Sequence, residues 1–356
     1  MSWTQKTLGE IVNLKRGFDL PSSSRVDGPY PVFSSSGQTG THSEAAVKGP
    51  CVVTGRYGTI GQVFFSDAAC WPLNTSLYST DFKGNDPKFV YYLLKTIPWR
   101  DYLTASAVPG INRNHVHLCP VCVPDHETQT AISGVLGLLD NKIELNTKLN
   151  GYLLELATAR FESALKTKSK TVRFGDIVAL EDSKRIPLNS RDREARKGPY
   201  PYYGATSIMD YVDDFLFDEI RVLLGEDGTV VNSEGKPILQ YVWGKYWVNN
   251  HAHILAPSGE YSLEAIYVAL KRTAINQIVT GAVQMKISQR NLKSLELEMP
   301  SSEELGYLQD LFAAYRSNQD ENTKLAALRD ALLPRLMSGE IDVSKVDLTQ
   351  LNSHLA

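Results

Sequence analysis

The sequence predicts an α+β protein: two similar α+β domains separated by two long antiparallel coiled-coil helices, related by an internal pseudo-two-fold repeat. Three observations predict it. Motifs recur about half a chain apart, the mark of a duplicated unit. The first part of each copy is rich in Gly, Pro, Tyr and short β-branched runs such as "CVVTG" and "RVLLG", which suit strands joined by turns. The second part is depleted in Pro and Gly and takes on a helical period.

The recurrence is explicit. "LGEIV" (Leu8 to Val12) is answered by "FGDIV" (Phe174 to Val178), and "GPYPVF" (Gly28 to Phe33) by "GPYPYY" (Gly198 to Tyr203). "GRYGTIG" (from Gly55) falls where "GEDGTVV" (from Gly225) stands in the other half, and "PKFVYYLLK" (from Pro87) parallels "LEAIYVALK" (from Leu263). The offset drifts from 166 at Gly9/Gly175 to 170 at "GPYP" and 176 at "NTKL", which occurs at Asn146 and again at Asn322. Insertions have therefore accumulated in loops. The expected domains are residues 1–124, a first spacer helix at 125–170, a second domain at 171–300, a second spacer helix at 301–338 and a tail at 339–356.

Strands dominate the two domains, each with one helix, near 87–96 and 262–272. The spacers begin at Pro124–Asp125 and Pro300–Ser301, where Glu304 three residues after Ser301 has capping-box spacing. In the first spacer Ile132, Leu136, Leu139, Ile143, Asn146, Asn150, Leu153 and Ala157 alternate in steps of four and three; in the second the set is Leu308, Phe312, Tyr315, Gln319, Asn322, Ala326, Arg329 and Leu333. Leu139, Ile143, Asn146 and Leu153 are expected to pair with Phe312, Tyr315, Asn322 and Leu333. An Asn buried in such a seam lowers stability but fixes register, so Asn146 and Asn322 are expected in one crossing layer. The alternative is two separate surface helices with solvated Asn. A helix from about 127 to 165 would span about 55 to 60 Å.

Bulk composition restricts the classes. With 42% hydrophobic residues the chain has material for packed cores. It has no run of eighteen apolar residues and its start lacks a signal-peptide pattern, so a cytoplasmic location is expected. Four cysteines, irregularly spaced, do not make a disulfide framework. The net charge is −3, unevenly spread: residues 1–124 carry 11 Lys and Arg against 8 Asp and Glu, residues 301–356 carry 5 against 9. Any nucleic-acid field from this chain alone is weak.

Taken together, "PDHETQTAISGVLGLLDNKIELNTKLN" (Pro124 to Asn150), its echo "PSSEELGYLQDLFAAYRSNQDENTKL" (Pro300 to Leu325), the end "LLPRLMSGEI" (Leu332 to Ile341) and the two domain openings resemble the DNA-specificity subunit of type I restriction-modification systems. The resemblance covers nearly the whole chain. It implies two target-recognition domains, each reading one half of a bipartite double-stranded DNA target, with helices that set the gap and dock methyltransferase subunits. It also implies restriction/translocase partners, with S-adenosylmethionine, ATP and Mg on those partners and no cofactor on this chain. No base-reading residue carries over, because recognition loops diverge widely in the family. One DNA turn is about 34 to 36 Å, so heads on a stiff spacer can enter grooves about a turn apart. Joining two short half-sites adds their discrimination, about 1 to 3 kcal/mol per base pair.

Rival chemistry is weaker. "HVHLCPVCVPDH" has the Cys-x-x-Cys of a zinc site, but Cys119 and Cys122 align with Leu295 and Glu298, so they are expected to be packing residues and no metal is expected. "GRYGTIG" lacks the Gly-Lys-Ser/Thr ending of a P-loop and reads as a glycine-turned hairpin. Glu234 and Lys236 in "SEGK" have no counterpart in the first half and read as turn chemistry. No catalytic residue is expected. Two other functions stay open: a two-headed coiled-coil adaptor that does not bind DNA, or an enzyme centred on Glu234/Lys236 or on the Cys/His cluster.

Candidate DNA-contact residues lie in polar stretches beside aromatics, where Gln, Asn, Arg and Lys suit base edges and phosphates. They are Ser36, Gln38, Thr39 and His42; Arg56 and Tyr57; Asn112, Arg113 and Asn114; Tyr203, Thr206 and Ser207; and Lys286, Gln289 and Arg290.

Overall fold

A computed structural model describes residues 2–104, 109–281 and 284–346. The chain divides into two compact units, Met1–Asn146 with Asp320–Ala356, and Thr147–Gln319. Both long helices, His126–Thr167 and Tyr307–Met337, therefore contribute residues to each unit. Of the expected tail at 339–356, residues 347–356 lie outside the described residues.

In the first unit Trp3–Thr7 pairs antiparallel with Pro120–Pro124, bringing the two ends of the domain together at the root of the long helix. The main sheet takes the order Asn13–Arg16, Ser76–Asp81, Cys51–Gly55, Val63–Ser66, with a smaller sheet of Gly37–His42, Tyr30–Ser34 and Trp71–Pro72. The helix Pro87–Thr96 forms where expected: Asp86 accepts from the Phe89 N–H at 2.7 Å, and Pro87 stands where no intrahelical donor is needed. Its apolar face buries Phe89, Val90, Leu93 and Leu94 against Leu8, Leu14, Val52 and Leu77, each full burial contributing about 1.5 to 3 kcal/mol. Ile132 and Leu136 of the first long helix and Leu336 and Met337 of the second close the same core.

The second unit has the same plan. Ser169–Arg173 pairs with Pro300 through Glu296, and the main sheet takes the order Val178–Leu180, Ala252–Pro257, Arg221–Gly225, Leu239–Val242. Matching backbone bonds recur at the sequence offsets: Leu8 N–H donates to Cys119 O at 2.8 Å and Phe174 N–H to Leu295 O at 2.7 Å, while Ile111 N–H reaches Arg56 O and Ile287 N–H reaches Glu226 O, both at 2.9 Å. Leu263–Arg272 packs Ile266 and Leu270 on this sheet beside Phe161, Leu308 and Phe312 of the long helices.

Polar groups tie the long helices within each unit. In the first, Asn146 donates to Asn322 Oδ1 at 3.0 Å and to Glu321 at 2.6 Å, and Asp140 accepts from Arg329 at 2.7 Å and from the Tyr92 hydroxyl at 2.6 Å. Burial pushes the Tyr92 phenol up and Asp140 adds to the shift, so the tyrosine stays a donor. In the second, Asn150 accepts from Asn318 at 2.8 Å and donates to the Tyr315 carbonyl at 3.2 Å. Leu139 is buried, whereas Ile143, Leu153, Tyr315 and Leu333 are half-buried.

The start of the second long helix differs from expectation. Ser301 makes no side-chain cap; a 3-10 turn, Ser302–Leu305, comes first, buries Leu305, and Ser302 bonds Glu260 at 2.7 Å instead. Anchoring Leu305 in the core takes precedence over a capping box. The first long helix is held at its start by Asp125, which accepts from Thr128 N–H at 2.9 Å. Among the described residues, no helix is long and apolar enough to cross a membrane.

Candidate nucleic-acid interface

In the first unit, segments far apart in sequence meet in one open cleft of about 280 Å³ lined by Arg16, Arg56, Tyr57, Thr104, Asn112, Arg113 and Asn114. Backbone pairing makes the convergence. Arg56 and Tyr57 follow strand Cys51–Gly55 and donate their N–H groups to Thr75 O at 2.9 and 3.1 Å, while Ile111 N–H returns to Arg56 O. Tyr57 bridges Gly110, and a Cβ there would lie 2.2 Å from the Tyr57 ring, so only glycine leaves room for it. The ring in turn supports the Arg56 guanidinium, 4.5 Å from its centroid. Asn112 caps the short turn Arg113–Val116, accepting from Asn114 N–H at 3.0 Å.

Five of the sequence-predicted residues, Arg56, Tyr57, Asn112, Arg113 and Asn114, are thus brought together. Arg16 was missed, since it stands at the end of an apparent strand. Only its contrast with the aligned Asp182 could have singled it out. Arg113 and Arg16 are exposed and Arg56 half-buried. Among the described residues neither Arg56 nor Arg113 has a carboxylate within 4 Å, and Arg16 has only Asp19, at 3.6 Å with both side chains largely exposed.

The equivalent place in the second unit holds different chemistry. Asp182, Glu226 and Gln289 align with Arg16, Arg56 and Arg113. Asp182 is buried, contacts His253 Nδ1 at 2.6 Å, and accepts from Gln289 at 2.6 Å and from Ile254 N–H at 2.9 Å; the other nitrogen of His253 lies 2.8 Å from Ile287 O. Arg185 bridges Glu226 at 2.7 Å and Asp182 at 3.7 Å, and Lys286 lies 3.5 Å from Glu226. Burial pushes the Asp182 carboxyl up, but the hydrogen bond and charge of His253, with Ile254 N–H and Arg185, outweigh it and hold the group below the usual carboxylate range. Asp182, Glu226 and His253 have ligand atoms within 4.8 Å of one another, and Arg185 already pairs with both carboxylates. This cluster was also missed, because its members lie far apart in sequence and meet only through strand pairing.

The remaining candidates are spread out. Ser36, Gln38 and Thr39 are exposed on and beside the hairpin Tyr30–Ser34/Gly37–His42, with Arg25 donating to Thr39 O at 3.0 Å. His42 is a correction to the exposed-contact expectation: it is 7% exposed, accepts from Val26 N–H at 3.1 Å and packs edge-on against Trp71 at 5.2 Å. Its polar neighbours mark a hairpin, but its strand position turns the ring inward. Tyr203 is half-buried at the end of its strand, edge-on to Tyr246 at 5.8 Å, with burial pushing its phenol up. Thr206 and Ser207 are exposed in the following turn, and Gln289 and Arg290 on a short helical turn.

Of the rival centres, Cys119 is buried in the core as a packing residue, but Cys122, expected to pack as well, is exposed, because it alternates with buried Val121 and Val123 along the strand Pro120–Pro124. Glu234 and Lys236 form an ion pair at 2.5 Å in a turn.

The family described as "Type I restriction modification DNA specificity domain" matches residues 1–154 and 166–328. The HindI specificity subunit of Haemophilus influenzae is 21% identical over 95% of this chain and 99% of its own length. A provisional type I specificity subunit of the same organism is 27% identical over 35% of this chain, which spans only 31% of that protein's length. The crystal structure of the S subunit of a type I restriction-modification system from M. genitalium shares the fold, with a TM-score of 0.59 at 19% identity over 94% of this chain and 96% of that one. The chain belongs to the family of type I restriction modification DNA specificity domains, and two regions of it match that family.

Proposed function

We propose that the chain is the sequence-specific DNA-recognition subunit of a type I restriction-modification complex, with each domain reading one half of a bipartite target. The observation that carries this is one specificity fold occurring in both units, with polar loop residues gathered around the same topological place in each. The two long helices form an antiparallel coiled-coil spacer in a pseudo-two-fold arrangement; the Asn146–Asn322 and Asn150–Asn318 bonds support that pairing. The domain limits follow 1–124 and 171–300. The helices also dock methyltransferase subunits, a role supported by Leu149, Tyr152 and Leu156, which are 44, 65 and 46% exposed at helical spacing on the first long helix. The subunit directs chemistry done by DNA methyltransferase and restriction/translocase partners, which carry S-adenosylmethionine, ATP and Mg.

The test is exchange of residues 1–124 for the equivalent domain of a relative, followed by sequencing of methylated DNA from cells carrying the complex. One half of the split motif should change while the other half and the gap persist. A change in both halves would show that the domains read DNA jointly, and the loss of any split motif would refute the assignment.

A further inference from the structure

The first-unit cleft and the second-unit side-chain cluster occupy equivalent places, yet three arginines in the first unit are replaced by two carboxylates and an amide in the second. In the second unit Asp182 and Glu226 are paired internally, with Arg185 on both, His253 on Asp182 and Lys286 near Glu226, and none of the three aligned positions carries a cationic group. In the first unit the guanidinium groups of Arg56 and Arg113 have no carboxylate within 4 Å among the described residues. Three like charges held together around an open cleft repel one another. Such a cluster is relieved when an anion enters, and a polyanion releases counterions as it does so. The stacking of Arg56 on Tyr57, and of Tyr57 on Gly110, holds one guanidinium in place before any ligand arrives.

We propose that the cleft of Arg16, Arg56 and Arg113 is the main phosphate grip of this chain, so that the first domain anchors DNA electrostatically while the second, whose equivalent side chains pair with one another, reads its half-site without such a grip. This rests on the DNA-recognition reading and adds an asymmetry between the two domains. Backbone phosphates and the O6/N7 edge of guanine both accept from arginine, and the phosphate is the assigned partner, because an open, solvent-facing cationic cluster suits a repeating charge better than a single base edge.

The experiment measures binding of the full chain to a random-sequence DNA duplex across a salt series. The variant Arg16→Gln/Arg56→Gln/Arg113→Gln should bind more weakly, with a slope of log K against log salt shallower by roughly 0.9 for each phosphate the protein no longer neutralises. Lys6→Gln/Lys48→Gln/Lys168→Gln removes the same charge from exposed positions elsewhere and should change the slope much less. Equal slopes for the two triple variants, both with wild-type unfolding temperatures, would overturn the proposal. Arg→Lys at the three cleft positions should keep both slope and most of the affinity; an affinity loss as large as that of the glutamine variant with the slope kept would assign the cleft to a guanine edge instead. Failure of the wild-type chain to bind duplex at low salt, alone and in its complex, would refute the DNA-recognition reading itself, a result distinct from a wild type that binds with its slope unmoved by the cleft variants.

Discussion

Asp182 shows how far a single residue departs from what its neighbours in sequence suggest. It follows an apparent strand and looks like a turn carboxylate, yet it is buried and bonded to His253, Gln289 and the Ile254 N–H. Removing one partner of a buried ion pair leaves the other uncompensated, at a cost of about 3 to 5 kcal/mol. Asp182→Asn should therefore lower the unfolding temperature of the second domain sharply in calorimetry. The pH dependence has a definite sign. A carboxyl held below its usual range contributes its full stabilisation above the unfolded pKa of about 3.9 and loses it as pH falls through the folded value. Stability of the wild type should therefore decline below about pH 4, with a steeper slope than that of Asp182→Asn; equal slopes would show that this carboxylate is not a stabilising charge.

At the scale of the element, the long helices combine apolar and amide layers. Asn146 and Asn322 are both buried and bonded to each other, and Asn150 is buried beside Asn318. Asn146→Ala deletes the donor to Asn322 and Glu321 and should cost about 1 to 3 kcal/mol in denaturant unfolding. Replacing both partners, Asn146→Leu/Asn322→Leu, should raise the unfolding temperature above that of wild type, because apolar side chains fill a seam without desolvating amides. A double variant less stable than Asn146→Ala would mean that the layer is open to water. The helix starts carry a related lesson. Asp125 caps as its position suggests, but Ser301 does not, because the Leu305 anchor reshapes the first turn.

For the whole molecule, the proposed spacer makes a geometric prediction. Inserting four residues after Leu149 lengthens one helix by about 6 Å and turns its end by roughly 40°. DNA rises about 3.4 Å per base pair, so the preferred gap should shift by one or two base pairs with both half-sites unchanged, as read by sequencing methylated DNA. Folding and partner binding are checked on the same preparation. An unchanged gap in an active assembly would show that partner subunits set the distance and that the helices act mainly as a docking surface.

The duplicated plan, the long helices with their recurring Asn and the family were legible in the sequence, because helical period, strand composition and repeated motifs are local properties that survive divergence. Five members of the arginine cleft were also named from polar runs beside aromatics, though as separate stretches. Their convergence was not legible. Arg16, Arg56 and Arg113 come together only because strand pairing returns the chain past Thr75 and Ile111 carries it back to Arg56. The same holds for Asp182 and His253, which lie 71 residues apart and meet across one sheet. His42 was misjudged for a related reason: composition reports that a hairpin is polar, but only register and packing decide which of its side chains turn inward. Local pattern thus determined which elements form and what family they make, while long-range backbone pairing decided which charges share a cleft and which are neutralised inside the fold.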